Sequence, residues 1–289
     1  MPRNVLVLGA TGRFGRAAFR AFEAAGDTVL PFDRGRDDLM RAAMGKDIIV
    51  VGWNPAYPDW AAQVPGLHAR VIAASKASGA TVIVPGNVYV FGPQTPGPWS
   101  ARSPHRAENP LGRIRIAMEE AYRTSGVRTI LLRAGDFLDT EASGNWFDAV
   151  MTAKLTKGRF VYPGNPDIPH AWAYLPDMAR AAVGLADLGD RLPVFADIPF
   201  PGYTLSGRDL LASVNGCLEQ PVVMKQMAWW PVQLARPFWP MGRCLLEMRY
   251  LWNTAHSLDG SLFEGLLPGF EHTELSEALH QALPKDLLR

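Results

Sequence analysis

A glycine-rich stretch near the start of the chain has the residue types and spacing of a phosphate-binding loop. Residues 9–15 read GATGRFG, follow an apolar run at residues 5–8 and open a helical pattern. Glycines let the backbone turn tightly and approach a pyrophosphate, and the N–H groups that begin a helix attract its charge. The alternative is a tight strand–helix turn without a ligand. The context favours dinucleotide binding by Gly9, Thr11, Gly12, Arg13, Phe14 and Gly15.

Two further stretches indicate where the rest of a dinucleotide would lie. Asp33 ends the second apolar run, where a carboxylate accepts from both hydroxyls of the adenosine ribose, which favours NAD. Arg34 and Arg36 follow at once, and binding of a 2′-phosphate by these arginines would favour NADP instead. A turn at residues 52–55 follows the third apolar run; it is either a ligand site or a simple Pro-containing turn. We expect NAD or NADP, with NAD preferred, and we add to the cofactor contacts Asp33, Arg34, Gly52, Trp53 and Asn54.

Short and long elements alternate along the first half of the chain and must position these residues. Short β-branched or Leu-rich runs occur at residues 5–8, 28–32, 47–51, 81–84 and 129–132. Longer stretches with helical spacing lie between them, at residues 13–25, 60–78 and 112–125. This alternation predicts an α/β fold, a Rossmann-type doubly wound parallel sheet with helices on both faces. The segment between Asp33 and Asp47 is too short for a full helix and a full strand, so we expect an abbreviated crossover.

The composition changes after about residue 135, where Pro and Gly punctuate the chain more often. We predict a dinucleotide-binding Rossmann domain of residues 1–134 plus 170–198. Residues 135–169 plus 199–289 would form a smaller, mostly helical substrate-binding lobe. Residues 177–198 are expected to return to the main sheet, and Asp177 and Thr273 have the type and position of helix N-caps.

Composition and charge exclude several classes of protein. The chain has 289 residues, of which 48% are hydrophobic and 20% charged, so disorder, collagen and coiled coil are excluded. A net charge of +1 argues against a nucleic-acid partner. Cys217 and Cys244 provide neither a disulfide framework nor a zinc spacing, so we expect no metal and a cytoplasmic location. We also expect no signal peptide, and no apolar run approaches the ~20 residues that a membrane span needs.

The segment 228–252 is rich in Trp and Arg. Such a composition is typical of helices that lie in a membrane interface, but Pro231, Pro237 and Pro240 interrupt any long helix here. We therefore favour a packed lid over the site or a subunit contact, and the latter would form a homodimer.

Four motifs in residues 1 to about 190 resemble the NAD-dependent epimerase/dehydratase group of the extended short-chain dehydrogenase/reductases. The glycine loop has the group's G-x-x-G-x-x-G spacing, and residues 87–92 (NVYVFG) are similar to its "AVYG" stretch. Residues 133–137 (RAGDF) resemble "LRPxNVYG", and residues 174–179 (YLPDMA) resemble "VxDVA". The resemblance implies a Rossmann fold, a nicotinamide cofactor and a catalytic Ser/Thr, Tyr and Lys.

This chain departs from the group's catalytic pattern. Aligning residues 111–115 (LGRIR) with "YGRSK" puts Leu111 at the Tyr position and Arg115 at the Lys position, and residues 85–87 contain no hydroxyl. Leucine has no proton to give, and arginine does not shuttle one at neutral pH. The resemblance therefore implies an atypical member, in which Arg115 holds the nicotinamide ribose. As catalytic residues we predict Tyr89 for acid–base work, Asn87 as a donor to a carbonyl, and Arg115.

Several functions remain open on these observations. The first is an NAD(P)-dependent oxidoreductase or epimerase that acts on a small hydroxyl or carbonyl compound. The second is a non-catalytic NAD(P) sensor, which the missing Tyr and Lys favour. A third, a membrane-associated scaffold, depends only on the Trp-rich segment. His170 replaces an Arg that meets a phosphate in sugar-nucleotide members, and we expect it to be a surface or packing residue in a Pro-rich loop.

Overall fold

Six parallel strands form the main sheet of the protein, which a computed structural model describes over residues 2–289. They are β1 (Asn4–Leu8), β2 (Thr28–Phe32), β3 (Ile48–Val51), β4 (Thr81–Gly86), β5 (Thr129–Arg133) and, later in the chain, β9 (Phe195–Pro199). Their spatial order is β2-β1-β3-β4-β5-β9, and every pairing is parallel. The five predicted strands are confirmed, and the chain returns to the sheet through β9 as expected.

Helices cover both faces of this sheet because its strands direct apolar side chains alternately to either side. In β1, Val5 and Val7 face one core, whereas Leu6 and Leu8 face the other. The long helices α1 (Arg13–Ala24) and α5 (Leu175–Leu188) pack together on one face, and α3 (Trp60–Ser78) and α4 (Pro110–Ser125) pack together on the other. The doubly wound α/β arrangement is therefore confirmed.

The connection between β2 and β3 contains a single short helix, α2 (Leu39–Ala43), as the abbreviated crossover predicted. Asp38 begins it, because its carboxylate accepts the N–H of Arg41 at 2.9 Å. After this crossover β3 pairs directly with β1, and Val51 lies opposite Leu8. The strand order thus reverses between β1 and β3, and the carboxyl ends of these strands form the crevice where doubly wound folds bind ligands.

Two small sheets and several short helices form the rest of the molecule around a third core. One sheet consists of β6 (Asp136–Leu138), β8 (Pro169–Tyr174) and β10 (Tyr203–Ser206), and the other of β7 (Arg159–Tyr162) and β11 (Val223–Gln226). The helices are α6 (Gly207–Cys217), α7 (Trp230–Ala235), α8 (Pro240–Met248), α9 (Ser261–Leu266) and α10 (Leu275–Ala282). The division into two domains by residue range stays a prediction. No helix within residues 2–289 combines the length and apolar character that a membrane crossing requires.

Two predicted helix caps are wrong, and the structure shows what these residues do instead. α5 begins at Leu175, so Asp177 lies inside its first turn, and Glu274 rather than Thr273 precedes α10. The backbone N–H and the hydroxyl of Thr273 each donate to the buried Asp177 carboxylate at 2.7 Å. The two residues therefore join the C-terminal segment to α5, a contact across 96 residues that local spacing does not reveal.

Candidate functional site

Four glycines bring three backbone segments together at the crevice between β1 and β3. Gly9 has φ +77°, and its carbonyl oxygen accepts the N–H of Gly12 at 2.9 Å. A Cβ on Gly15 would lie 2.2 Å from the Gly9 oxygen, and a Cβ on Gly52 would lie 2.7 Å from the Gly15 Cα. Any larger residue at Gly15 or Gly52 would force the segments apart. The predicted loop and the turn after β3 therefore meet.

The beginning of α1 leaves its backbone donors free toward this crevice. The helix begins at Arg13, and among the described residues no side chain caps it and no acid lies in its first turn. Its N–H groups and dipole therefore favour an anion. The Arg13 guanidinium turns away and donates to the carbonyl oxygens of Ser143 at 2.9 Å and Gly144 at 2.7 Å. Arg13 thus offers its backbone to the crevice, while its side chain binds the loop after β6.

The residues predicted to contact the adenosine half lie beside the loop. Asp33 directly follows β2, is exposed, and accepts the N–H of Gly35 at 2.8 Å. The Arg34 guanidinium lies 5.6 Å from the Trp53 ring centroid, and Phe32 meets the same indole edge-on at 5.5 Å. A Cβ on Gly9 would lie 2.9 Å from the Trp53 ring. Trp53 therefore lies directly over the glycine loop, whereas Asn54 is exposed.

Tyr89 forms a half-buried pair with Tyr57, which follows the turn after β3. Their phenol oxygens are 2.5 Å apart, and the Tyr89 ring stacks on Trp60 with centroids 6.1 Å apart. Burial raises the pKa of Tyr57 and raises the pKa of Tyr89 well above its usual value. Tyr89 is therefore protonated at neutral pH and can donate a hydrogen bond, but it is a poor base.

Asn87 and Arg115 lie on either side of the end of β4. The Asn87 side-chain oxygen accepts the N–H of Tyr89 at 3.0 Å. Arg115 is buried, donates to the Pro85 carbonyl oxygen at 2.7 Å, and has no partner for its Nε within the described residues. Burial lowers the pKa of its guanidinium. The structure therefore holds a desolvated cation beside the position where the resemblance puts the nicotinamide ribose.

The Trp- and Arg-rich segment covers the beginning of α4 and reaches the site. Glu247 of α8 accepts the N–H of Leu111 at 2.7 Å and the side-chain amide of Asn109 at 2.8 Å. Further along, Trp252 is buried and stacks on His170. Pro231 and Pro240 lie in the first turns of α7 and α8 and Pro237 lies in the turn between them, so the segment is folded from short pieces. Its exposed apolar side chains belong to α7 and the following turn, where Phe238 is 91% exposed.

His170 does not lie in a Pro-rich loop but in β8, so of the two expected roles the surface residue is wrong and the packing residue agrees with its burial. Its Nε2 is 2.7 Å from the Oδ2 of Asp136, which begins β6. The ring is 2% exposed and lies parallel to Trp252 at 4.3 Å. The sequence analysis therefore missed a buried His–Asp pair. Asp136 lies in the RAGDF motif and His170 was considered by itself, but no local sequence pattern shows that β6 and β8 are neighbours.

A second buried ionic group lies under the site and braces it. Arg133 donates to Glu119 at 2.8 Å, to Asp197 at 2.6 Å and to the Asn87 carbonyl oxygen at 2.6 Å. A carboxylate oxygen of Glu119, one of Asp197 and a ring nitrogen of His105 also lie within 4.8 Å of one another, as the ligands of a metal ion would. Because the Arg133 guanidinium already neutralises both carboxylates, we interpret the cluster as an ion-pair network that holds β4, α4, β5 and β9 together.

Comparison with known proteins supports the fold. Neither a family model nor a curated protein matches the sequence. Among solved structures, a UDP-glucose 4-epimerase from Brucella ovis in complex with NAD is 17% identical, with 99% of each chain covered and a TM-score of 0.74. The NAD-dependent NDP-hexosamine 5,6-dehydratase TunA is 15% identical, with 96% of each chain covered and a TM-score of 0.75.

A third similar structure is a nucleoside-diphosphate-sugar epimerase from Pseudomonas aeruginosa. It is 18% identical over 97% of this chain and 96% of its own, with a TM-score of 0.71. At such identities the likeness establishes the fold alone. The protein therefore has the Rossmann fold of the NAD-dependent epimerases and dehydratases, the extended short-chain dehydrogenase/reductases that its motifs resemble.

Proposed function

We propose that this protein is an NAD(P)-dependent oxidoreductase of the epimerase/dehydratase type that acts on a small hydroxyl or carbonyl compound. The observation that carries the proposal is the contact between the glycine loop and Gly52 at the strand-order reversal, beside the uncapped start of α1. A cradle in which any Cβ would meet backbone suits a pyrophosphate held by N–H groups. Solved structures of the same fold contain NAD, which supports a nicotinamide dinucleotide.

The residues around the crevice fit such a cofactor along its length. Residues 9–15 would hold the pyrophosphate, and Asp33 with Trp53 would hold the adenosine half. Arg115 would donate to the nicotinamide ribose, since its Nε is buried without a partner in the described part of the chain. When bound, the nicotinamide supplies a hydride acceptor or donor next to the substrate.

The substrate side of the crevice has a polar end and aromatic walls. Asn87 would donate its side-chain amide to a substrate oxygen, because its own oxygen already binds the Tyr89 N–H. Tyr89, our predicted acid–base residue, would donate a hydrogen bond to a substrate oxygen, because burial keeps its phenol protonated. Arg115 would contribute its fixed charge.

Calorimetry with NAD and NADP tests cofactor binding. Gly12→Val adds a side chain whose Cβ would lie 3.2 Å from the Gly9 oxygen, at the mouth of the cradle, so we expect loss of binding with an intact fold. Gly216→Val is the matched control, because a Cβ there meets nothing within 4 Å. If Asp33 holds the ribose, NAD binds more tightly than NADP; the reverse order would assign the site to Arg34 and Arg36. Unchanged NAD(P) affinity in Gly12→Val would contradict the proposal.

The second candidate is a non-catalytic NAD(P) sensor, and Leu111 at the usual Tyr position favours it. Turnover assays that follow NADH on UDP-glucose, UDP-glucuronic acid and small hydroxy acids separate the two. Tight NAD(P) binding with no turnover on any of these compounds would favour the sensor. A homodimer and a cytoplasmic location stay predictions. Sedimentation of the wild type and of Phe238→Ser tests whether the exposed side chains on and after α7 join two copies.

A further inference from the structure

We infer that His170 and Asp136 form the acid–base pair of this site and supply the proton transfer that Leu111 and Arg115 cannot. The inference deepens the proposed function and depends on it for the redox step. It is carried by the geometry of the pair, by its neighbours and by two unpartnered polar atoms on the rings that contact His170.

The hydrogen bond to Asp136 determines which nitrogen of His170 is available. With 2.7 Å between Nε2 and Oδ2, a neutral imidazole donates its Nε2–H to the carboxylate and keeps a lone pair on Nδ1. No described residue hydrogen-bonds to Nδ1, and the protein does not fully enclose this atom. The carboxylate also stabilises the imidazolium that forms when Nδ1 takes a proton.

The fold holds the ring in one orientation. Trp252 lies parallel to it at 4.3 Å with an interplanar angle of 1°, and His256 meets it at 4.4 Å with an angle of 64°. Gly135, just before Asp136, allows β6 to approach β8, because a Cβ there would lie 2.0 Å from the Ala171 carbonyl oxygen. The pair is therefore pre-organised by two strands and an aromatic stack.

Asp136 also connects the pair to the tyrosines at the crevice. Gly86 at the end of β4 lies opposite Arg133 at the end of β5, so the segment with Tyr89 and the turn that leads to Asp136 leave the sheet side by side. The charge of Asp136 also contributes, after burial, to the raised pKa of both Tyr57 and Tyr89. The pair, the phenols and Arg115 thus come from different elements, and they gather at the carboxyl side of the sheet. This is the side where a nicotinamide would meet its substrate.

Four buried side-chain atoms in the described residues lack a hydrogen-bond partner: Arg115 Nε, Trp172 Nε1, Tyr250 OH and His256 Nε2. Trp172 and His256 both contact the His170 ring, and His256 already donates from Nδ1 to the Thr254 carbonyl oxygen, so its Nε2 is an acceptor. Native proteins rarely leave such atoms unsatisfied. A ligand with hydroxyl oxygens beside His170 would satisfy Trp172 Nε1 and His256 Nε2.

The proposed step balances in both directions. In oxidation, the O–H bond of a substrate alcohol breaks and its proton goes to His170 Nδ1. The C–H bond breaks at the same carbon, and the hydride leaves with its electron pair to the oxidised nicotinamide, so the C–O bond becomes a carbonyl. In reduction, the imidazolium returns the proton to the oxygen as the reduced nicotinamide delivers the hydride.

Turnover assays with the panel above, including UDP-glucose, test the pair in the full-length protein. We expect His170→Gln and Asp136→Asn each to lower turnover by ~10²–10⁴-fold while NAD affinity stays within about twofold of the wild type. His68→Gln is the control, because His68 is also buried but pairs with Tyr122 of α4 at 2.8 Å and not with a carboxylate. Turnover retained in His170→Gln, with the loss confined to Tyr89→Phe, would overturn the inference.

Nitrogen NMR of the histidine side chains tests the pair without any substrate. We expect the Nε2–H tautomer for His170 in the wild type and loss of this tautomer preference in Asp136→Asn. A proton on Nδ1 in the wild type would overturn the inference, because the free nitrogen would then face the carboxylate. Failure of the proposed function is a separate result, namely that calorimetry detects neither NAD nor NADP binding to the wild type.

Discussion

Arg115 is the residue at which the departure from the family pattern has its clearest physical consequence. A buried guanidinium with one hydrogen bond, to Pro85, and no carboxylate within ion-pair distance in the described chain is costly to hold. The Trp60 ring, 5.5 Å from its central carbon, offsets part of that cost. Binding of a ligand's oxygen atoms by Arg115 explains why this buried position holds a charged side chain.

Arg115→Met tests this interpretation, because it removes the charge and keeps most of the side-chain volume. We expect the free energy of unfolding to stay the same or rise by ~1 kcal/mol, since a buried unpaired cation is lost. NAD affinity should fall about tenfold or more, as for the loss of a charged hydrogen bond. Urea unfolding and calorimetry measure the two quantities. Lower stability with unchanged affinity would instead make Arg115 a structural residue.

At the scale of the elements, the beginning of α4 depends on a side chain from another part of the chain. Its N-cap position, Asn109, makes no side-chain cap, and Glu247 of α8 supplies the acceptor instead. A carboxylate there satisfies an orphan N–H and favours the positive end of the helix. The Trp- and Arg-rich segment thus stabilises the helix that carries Leu111 and Arg115.

We expect Glu247→Gln to lower the free energy of unfolding by ~0.5–1 kcal/mol, because the hydrogen bonds can persist but the charge is lost. Glu247→Ala should cost more, ~1–2 kcal/mol. Glu120→Gln is the control, since Glu120 lies on the same helix and only forms an exposed pair with Arg123. Chemical denaturation compares the three variants, and equal effects at positions 120 and 247 would argue against the cap.

At the scale of the whole molecule, two buried histidines couple stability to pH. Burial lowers the pKa of His68 from 6.5 to about 3, and it lowers the pKa of His256 from 6.5 to about 3. Both side chains are therefore neutral in the folded state, whereas the unfolded chain takes up protons below pH 6.5. Their contribution to stability is complete above that pH and declines as the pH falls toward 3.

Each of these histidines should reduce the free energy of unfolding by about 1.4 kcal/mol per pH unit within that window. Urea denaturation at a series of pH values measures the slope. In His68→Gln the slope should decrease by the contribution of one histidine, and an unchanged slope would show that His68 titrates normally in the folded protein. Gln can retain a hydrogen bond to Tyr122, which makes it the least disruptive replacement.

The sequence by itself determined the parallel sheet, its covering helices and the glycine loop, because each depends on residues close together in the chain. A window of about ten residues is enough to recognise the apolar runs of β1 and β3 and the glycines between β1 and α1. The number of residues between Asp33 and Asp47 also predicted that the crossover before β3 is short.

Only the tertiary structure decided which side chains share the site. His170 meets Asp136 across 34 residues, Glu247 reaches Leu111 across 136, and Asp177 holds Thr273 across 96. These contacts depend on how β6 pairs with β8 and how α8 packs over α4, and no local pattern encodes such pairings. Residue type and Pro-rich surroundings made His170 a surface or packing candidate; burial, a carboxylate and an aromatic stack make it the base of the site we propose.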